Sequence, residues 1–404
     1  MASTPSGGKR QRTSTGPSVA DPTTWRGRSA VALRNENVEI IVTSGGGHIV
    51  SFRLLHGANT TNALWEPPWP TMDPALRRLA SSAGIASNLE GELLAGIGGA
   101  NLCCDVFGAQ SKGEMAAGLA FHGEAGLSTW EVESWSNGSL VLSADLRKTQ
   151  LRIRRTFRLS GHVVIIHEEM TNLCSFERAL GRCQHVTLGK EFLVGDGDVL
   201  ARPVACRFEA GCDKGHTWPV DMDPTGALKS QWEPNVAFEY PNIPLRAKPG
   251  SDHAHEQAAP PASEADWGQF PRWGWKNSDL CTLRVTPTNE HGWFSARRRR
   301  GDKTEDAMTF ACAWERKAFP WLMTWEENCA RQEAPWNGRT LCRGLEISSY
   351  AFATGRRENV ERGKLLDTPT FEWLDADETK ATTWYMSLQG GTPSGTGAAL
   401  CGLF

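Results

Sequence analysis

A period of two in the hydrophobic pattern of residues 150–159 is the feature that most constrains the fold of this chain. Leu151 and Ile153 fall on one side of an extended backbone, while Arg152 and Arg154 fall on the other. Because successive side chains of a β-strand point to opposite faces, the pattern predicts a strand with one buried face. Comparable runs recur from residue 38 to residue 389, and few segments are convincingly helical. We therefore predict a mostly antiparallel, all-β fold.

Length and charge limit the classes of protein to which the chain can belong. Its 404 residues, 40% of them hydrophobic, are enough for a large core in two domains or in one big β domain. A net charge of −3 gives no general reason to expect nucleic acid as a partner. No apolar run is long enough to span a bilayer, and the residues after Met1 do not include the apolar h-region of a signal peptide. We expect a cytoplasmic monomer or homodimer without a membrane or nucleic-acid partner.

Local composition predicts how the chain is divided. Residues 1–24 are rich in Ser, Thr, Gly and Pro without periodicity, which predicts a disordered tail. Residues 249–266 are predicted to be an exposed loop insertion, and residues 393–404 a flexible C-terminal tail. The intervening residues 25–392 are predicted to form a single domain.

The cysteines and glycines give no sign of a metal or cofactor. Eleven cysteines are scattered without a CxxC pair, so we interpret them as reduced, small core residues. The glycine-rich segment 96–101 lacks the GxGxxG register of a dinucleotide-binding turn. We expect neither a bound metal nor a cofactor.

Glu346 is the first candidate for chemistry. It is the only acid in residues 343–350, a short segment with the alternation of a strand. Several aromatic residues precede it: Trp314, Phe319, Trp321, Trp325 and Trp336. A carboxylate on a rigid strand can accept a hydroxyl proton, while aromatic faces cover the apolar side of a sugar ring. A salt-bridged glutamate at a strand end is the alternative interpretation.

Two histidines are candidate partners for Glu346. His122 precedes Gly123 at the start of a long β run, and His185 follows Gln184 in a strand-like segment. Imidazole exchanges protons near neutral pH, as acid–base catalysis requires. Each histidine taken alone could equally be a turn residue or a core residue.

With His122, His185 and Glu346 in this order along the sequence, the chain resembles the aldose 1-epimerase (galactose mutarotase-like) superfamily and, within it, an epimerase-like branch. The resemblance covers about residues 36–390. Its landmarks are an opening hairpin with a Gly turn, a loop over residues 62–70 that contains Asn, Leu and Trp, a Gly/Asn segment, a His-Gly motif, a Gln-His strand and a late Gly-Leu-Glu strand. It implies a β-supersandwich of two large stacked antiparallel sheets, galactose mutarotase-like, with few short helices and the sugar site on the concave side.

The resemblance also implies a mechanism. Glu346 matches the family's general base, which takes the proton of the anomeric hydroxyl. His185 matches the general acid that protonates the ring oxygen, so that the ring opens and recloses with the other configuration. His122 matches a second histidine that hydrogen-bonds a substrate oxygen.

Further residues are expected to line the pocket and bind a monosaccharide or modified sugar. They are Asn101, Glu124, Gln184, His48, Trp65, Trp325, Glu326, Asn328 and Trp336. The family commonly follows its asparagine with an arginine that binds sugar hydroxyls, whereas Leu102 follows Asn101 here. This departure weakens the case for galactose or glucose as the substrate.

Two other classes of function remain open at this point. The missing arginine favours a non-catalytic carbohydrate-binding protein on the same scaffold. Alternatively, Glu326 and Glu346 are a potential carboxylate pair for a lyase or glycoside-cleaving enzyme that reuses the cavity.

Overall fold

The computed structural model describes most of the chain and shows short helices between long runs of strand. The described residues are 18–57, 60–74, 76, 90–136, 138–194, 206–218, 232–244, 276–300, 303–391, 393 and 395–403. The expected insertion at 249–266 lies outside them. None of the helices within these ranges is long and apolar enough to cross a membrane.

The described residues form twenty-three strands and five α-helices. Strands of the first half are β1 (Val19–Trp25), β2 (Arg28–Arg34), β3 (Val38–Thr43), β4 (Ile49–Leu54), β5 (Ala100–Cys104), β6 (Glu131–Ser134), β7 (Ser139–Leu146), β8 (Leu151–Ser160), β9 (Val163–Asn172), β10 (Arg178–Leu180) and β11 (Arg182–Gly189). Strands of the second half are β12 (Cys206–Ala210), β13 (Cys212–Thr217), β14 (Ala237–Glu239), β15 (Ser278–Val285), β16 (His291–Arg300), β17 (Lys303–Glu315), β18 (Trp321–Asn328), β19 (Leu341–Ser348), β20 (Lys364–Leu365), β21 (Thr368–Pro369), β22 (Glu372–Leu374) and β23 (Thr379–Gly390). The helices are α1 (Gly91–Leu94), α2 (Lys112–Ala116), α3 (Lys190–Leu193), α4 (Arg356–Arg362) and α5 (Gly397–Leu400).

Two large antiparallel sheets enclose the main core. The larger has eleven strands in the order β1-β2-β3-β4-β5-β11-β19-β18-β15-β13-β14. The smaller has eight, in the order β12-β16-β17-β23-β9-β8-β7-β6. Both sheets contribute to one buried cluster, in which Phe52 of β4 packs edge-on against Phe310 of β17. The prediction of an all-β sandwich of two stacked antiparallel sheets is confirmed.

The alternation that predicted strand β8 also places one charge inside the sandwich. Leu151, Ile153 and Phe157 face the core, and so does Arg155, which shares their parity. Arg155 is almost fully buried and lies 2.7 Å from the carboxylate of Glu168 on β9.

Arg155 belongs to a buried ion cluster that links the two sheets. Glu168 of the smaller sheet also lies 3.5 Å from Arg182, on β11 of the larger sheet. Gln184 of β11 accepts a hydrogen bond of 2.6 Å from Arg155 and donates one of 3.1 Å to Glu168. Burial alone would raise the pKa of Glu168, but the charges of Arg155 and Arg182 outweigh it and lower that pKa. The carboxylate therefore stays ionised inside the core.

The predicted N-terminal tail ends earlier than expected. Residues 1–17 lie outside the described part, but Val19–Trp25 is strand β1, paired with Arg28–Arg34. Arg26 and Gly27 both have positive φ, 51° and 80°, which is the geometry of a tight hairpin turn. Trp25 is buried at the end of the hairpin. The prediction of disorder over residues 18–24 was wrong. Strand pairing and the burial of Trp25 stabilise this segment although its composition is polar.

The C-terminal prediction of a flexible tail over 393–404 is also corrected. Gly397–Leu400 forms helix α5, which Thr396 caps at its N-terminus. Ala398 and Leu400 are buried against residues of β17. A Cβ at Gly397 would lie 2.5 Å from the carbonyl oxygen of Phe294, so only glycine allows this close docking.

The cysteine prediction is confirmed. All eleven thiols are free, and ten of them are buried. They fill small spaces in the core rather than linking strands.

The buried ion cluster leads to a testable prediction about stability. Glu168→Gln removes the only carboxylate that pairs with the buried Arg155 among the described residues and leaves Arg182 with Glu372 as its remaining partner, so we expect a loss of about 3–5 kcal/mol in the free energy of unfolding. Glu169→Gln is the matched control, because the neighbouring Glu169 is 37% exposed and pairs with Arg154 at the surface. It should lose at most about 1 kcal/mol. Urea unfolding followed by tryptophan fluorescence measures both, and equal losses would contradict this account of the cluster.

Candidate active site

His185 and Glu346 lie side by side on the larger sheet. They are directly opposite residues in the antiparallel pair of β11 and β19, and His185 Nε2 is 3.3 Å from Glu346 Oε1. Val186, Leu345 and Ile347 point into the core between the sheets, so His185 and Glu346 point to the opposite face. We call this opposite face of the eleven-stranded sheet the site face.

Glycine at position 344 makes room for the carboxylate. Gly344 lies two residues before Glu346 and shares its face of β19. A Cβ at this position would lie only 2.5 Å from Glu346 Oε1 and 3.2 Å from the Cβ of Trp325. Glycine is therefore required for the observed position of the Glu346 side chain.

Asn101 extends the row of site-face residues. It lies on β5 directly opposite His185, and Met323 lies on β18 directly opposite Glu346. The side chain of Asn101 is buried, and its Oδ1 has no hydrogen-bond partner among the described residues. An open amide acceptor next to the histidine–glutamate pair can receive a hydroxyl of a ligand.

His122 reaches the same place from a loop. Its backbone has the left-handed φ of 62°, and the next residue, Gly123, has a φ of 83°. The N–H of Gly108 donates a hydrogen bond of 2.9 Å to His122 Nδ1. A neutral imidazole that accepts at Nδ1 carries its proton on Nε2. The His122 ring lies 5.2 Å from the His185 ring, centroid to centroid.

Burial dominates the electrostatics of these three groups. The exposed fractions of His185, Glu346 and His122 are 5%, 2% and 8%. Burial lowers the pKa of His185 to about 4 and raises the pKa of Glu346 well above its usual range. Burial, assisted by the charge on His185, lowers the pKa of His122 well below its usual range. The His185–Glu346 pair therefore holds one proton between its facing atoms over a wide pH range.

The predicted tryptophans form a connected cluster beside the pair. Trp325, two residues after Met323 on β18, lies on the site face with its ring 6.1 Å from that of His185. Trp336 contacts Trp325 edge-on at 6.0 Å and stacks on Trp65 at 6.1 Å. Trp65 and Trp336 are each only 3% exposed, and both belong to a buried cluster against which Trp325 packs. The partly buried Trp325 is the ring that adjoins the pair.

Three predicted pocket residues point the other way. Gln184 faces the core and binds Arg155 and Glu168. Glu326 lies 3.5 Å from Arg343, and Arg343 donates a hydrogen bond of 2.8 Å to Asn328, all on the inner face. The predicted role of Gln184, Glu326 and Asn328 in lining the pocket is corrected by strand parity, since each adjoins a site-face residue in sequence.

Glu124 and His48 are occupied elsewhere. Glu124 accepts hydrogen bonds from the backbone N–H groups of Lys148 and Thr149, at 3.0 and 3.1 Å. His48 is fully buried, with Nε2 3.1 Å from the carbonyl oxygen of Gly126. Both side chains make structural contacts, contrary to the expected contact with a sugar.

Several residues of the site were missed in the sequence. Phe107 and Phe121 flank the His122 ring at 5.5 and 4.4 Å. Cys183 and Thr187 flank His185 on the same face of β11. The period of two along a strand predicts that Cys183 and Thr187 share the face of His185. No pattern in the sequence near Phe107 indicates that it lies beside His122. Within the described ranges, no group of three or more His, Cys, Asp and Glu side chains could hold a metal ion.

The raised pKa of Glu346 leads to a prediction about stability and pH. A folded-state pKa above the unfolded value of about 4.5 means that the folded protein binds this proton more tightly than the unfolded chain. Wild-type stability should therefore fall, relative to Glu346→Gln, as the pH rises above about 4.5. Chemical unfolding from pH 4 to pH 8 measures the difference.

The control for this experiment is Glu131→Gln, a change at an exposed residue of β6. Its difference from wild type should stay small across the range. If the stability of wild type relative to Glu346→Gln did not fall between pH 4 and pH 8, the folded protein would not bind this proton more tightly than the unfolded chain, and our assignment of the proton would be wrong.

The fold is similar to that of several solved structures, although the sequence is not. By sequence, the chain matches no protein-family model and no curated protein. Solved structures do match it: a Klebsiella pneumoniae protein assigned to the aldose 1-epimerases has 12% identity and a TM-score of 0.57 over 90% of this chain and 80% of its own. A galactose mutarotase-like protein from Clostridium acetobutylicum has 13% identity and a TM-score of 0.53 over 93% and 99%. A galactose mutarotase related enzyme from Lactobacillus acidophilus has 11% identity and a TM-score of 0.52 over 90% and 99%. The chain therefore has the galactose mutarotase-like fold.

Proposed function

We propose that the protein is an aldose 1-epimerase-like isomerase that interconverts the anomers of a reducing monosaccharide or modified sugar. The observation that carries this proposal is the buried pair of His185 and Glu346, 3.3 Å apart. Anomer exchange needs a base at the anomeric hydroxyl and an acid at the ring oxygen. Both oxygens are bonded to C1, so the base and the acid must be close neighbours, as these two side chains are.

The reaction needs one exchangeable proton on the His185–Glu346 pair. In the ionised form, the Glu346 carboxylate takes the proton of the O1 hydroxyl while His185 gives its Nε2 proton to O5. The C1–O5 bond breaks, and C1 becomes an aldehyde carbon. The pair is then neutral, with the proton on Glu346. After rotation about C1–C2, the reverse transfers close the ring in the other configuration and restore the ionised pair.

The other site-face groups have supporting parts in this proposal. His122 presents Nε2–H, because its Nδ1 is held by Gly108, and a substrate oxygen can accept from it. The open Oδ1 of Asn101 can accept from a sugar hydroxyl. Trp325 supplies an aromatic surface for the apolar side of the sugar ring.

A non-catalytic sugar-binding protein is the second candidate. It is favoured by Leu102, which stands where the family commonly has a hydroxyl-binding arginine and is fully buried in the core. A glycoside-cleaving enzyme is disfavoured, because Glu326 and Glu346 lie on opposite faces of the sheet and cannot flank one bond.

The experiment that tests the proposal is anomer exchange measured by NMR over a panel of aldoses, uronates and sugar phosphates. We expect wild-type protein to accelerate the exchange of at least one member. Glu346→Gln should lower the catalysed rate by about 100-fold or more, because it removes the base.

Glu326→Gln is the matched control, since Glu326 is also a buried strand glutamate but faces the core. Its rate should stay close to wild type. Sugar binding without faster exchange in wild-type protein would refute the isomerase and support the binding protein.

The pH dependence of the exchange rate is a separate prediction. Below about pH 4, His185 gains a second proton while Glu346 remains protonated, so the base is lost. As the pH rises through the raised pKa of Glu346, the pair loses its last proton and the acid is lost. We therefore expect a bell-shaped profile of kcat, and a profile that does not fall on its alkaline side would contradict the shared-proton mechanism.

A further inference from the structure

Thr187 lies next to His185 on the side away from Glu346. It follows two residues later on β11, so both side chains point to the site face. Thr187 Oγ1 is 3.1 Å from His185 Nδ1, while His185 Nε2 is 3.3 Å from Glu346 Oε1. The threonine is 2% exposed, so water competes little for this hydrogen bond. The two ring nitrogens thus have different partners.

We propose that Thr187 is a positioning residue that holds the Nδ1 proton of His185 and so reserves Nε2 for proton exchange with Glu346. The mechanistic consequence rests on the proposed function. The structural statement, that Thr187 accepts from Nδ1–H and stabilises this tautomer of His185, does not.

The proton balance shows why the tautomer matters. When imidazolium gives up its Nε2 proton, the neutral ring that remains carries its hydrogen on Nδ1. The opposite neutral tautomer, with hydrogen on Nε2, has no lone pair there and cannot take a proton back from the substrate. A hydroxyl can accept from Nδ1–H or donate to a bare Nδ1, and the protonated carboxyl of Glu346, which faces Nε2, selects the accepting role for Thr187. In that role Thr187 stabilises the tautomer that the cycle needs.

A hydroxyl is suited to this position. It accepts from Nδ1–H in both the imidazolium and the neutral ring, so the hydrogen bond survives the proton transfer. A carboxylate in place of the hydroxyl would stabilise imidazolium and oppose proton release to the sugar.

The other titratable groups around His185 leave this assignment intact. Glu346 faces Nε2 from β19, and His122 faces the ring with Nε2–H because Gly108 donates to its Nδ1. Cys183 and Cys103 lie on the same face, and burial raises the pKa of both thiols, which keeps them neutral.

The test compares Thr187→Val with Thr187→Ser in protein labelled with ¹⁵N-histidine and free of sugar. His185→Gln identifies the His185 signals among those of the ten histidines. We expect wild type and Thr187→Ser to show hydrogen on Nδ1 and a bare Nε2. In Thr187→Val, which keeps the side-chain shape but has no oxygen, the Nδ1 and Nε2 shifts should move toward the other tautomer.

Catalysis gives the second readout. For a sugar that wild-type protein turns over, Thr187→Val should lose about tenfold in kcat with KM little changed. The kcat of Thr187→Ser should stay within about threefold of the wild-type value. If Thr187→Val does not fold, Thr187→Ala takes its place in both measurements.

The outcomes separate the two claims. Unchanged ¹⁵N shifts of His185 in a folded Thr187→Val or Thr187→Ala variant would overturn the positioning role, whatever the activity. Shifted signals in a protein that exchanges no sugar would support the positioning role and overturn the proposed isomerase. Equal losses of kcat in the Ser and Val variants would also overturn the positioning role, since a hydroxyl would then be of no benefit.

Discussion

Strand β11 is the part on which the rest of the structure depends, because its two faces carry opposite kinds of chemistry. On the inner face, Arg182 and Gln184 join the buried Glu168 and connect the two sheets. On the site face, His185 meets Glu346. A shift of one residue in the register of β11 would exchange these faces, placing His185 in the core and a charged arginine in the site. The same pairing therefore maintains both the sandwich and the candidate active site.

Desolvation acts differently on these two faces. Glu168 has two arginines within reach, so its charge is compensated and its pKa falls despite complete burial. Glu346 has no such cation beside it among the described residues, and burial raises its pKa. The raised pKa of Glu346 and the lowered pKa of His185 place the single proton of the pair on Glu346 in the free protein, and the ionised pair that begins the proposed reaction costs free energy in proportion to the gap between the two pKa values. This shared proton is the electrostatic basis of the acid–base role that we propose.

The hydrophobic pattern of single segments predicted a large share of the fold. The alternation in β8 and the recurring strand runs indicated an antiparallel β-protein, and the absence of paired cysteine motifs indicated free thiols; both predictions are confirmed. The tails were predicted less well, because composition does not report that Val19–Trp25 pairs with a neighbour or that α5 docks on β17. Whether a polar segment is ordered depends on the strands or core residues against which it packs.

For the candidate site, the sequence by itself determined the types of residue and, through the resemblance, the three that the structure brings together: Glu346, His185 and His122. It did not determine which neighbours share their face. Gln184, Glu326 and Asn328 were chosen for their position in the chain, yet a step of one residue along a strand turns a side chain to the other side of the sheet. Thr187 and Asn101 acquire their roles only from strand pairing, which sets Asn101 opposite His185 and His185 opposite Glu346. The tertiary structure decided the site because proton transfer depends on distances of about 3 Å across strands, and such distances arise from register between segments far apart in the chain.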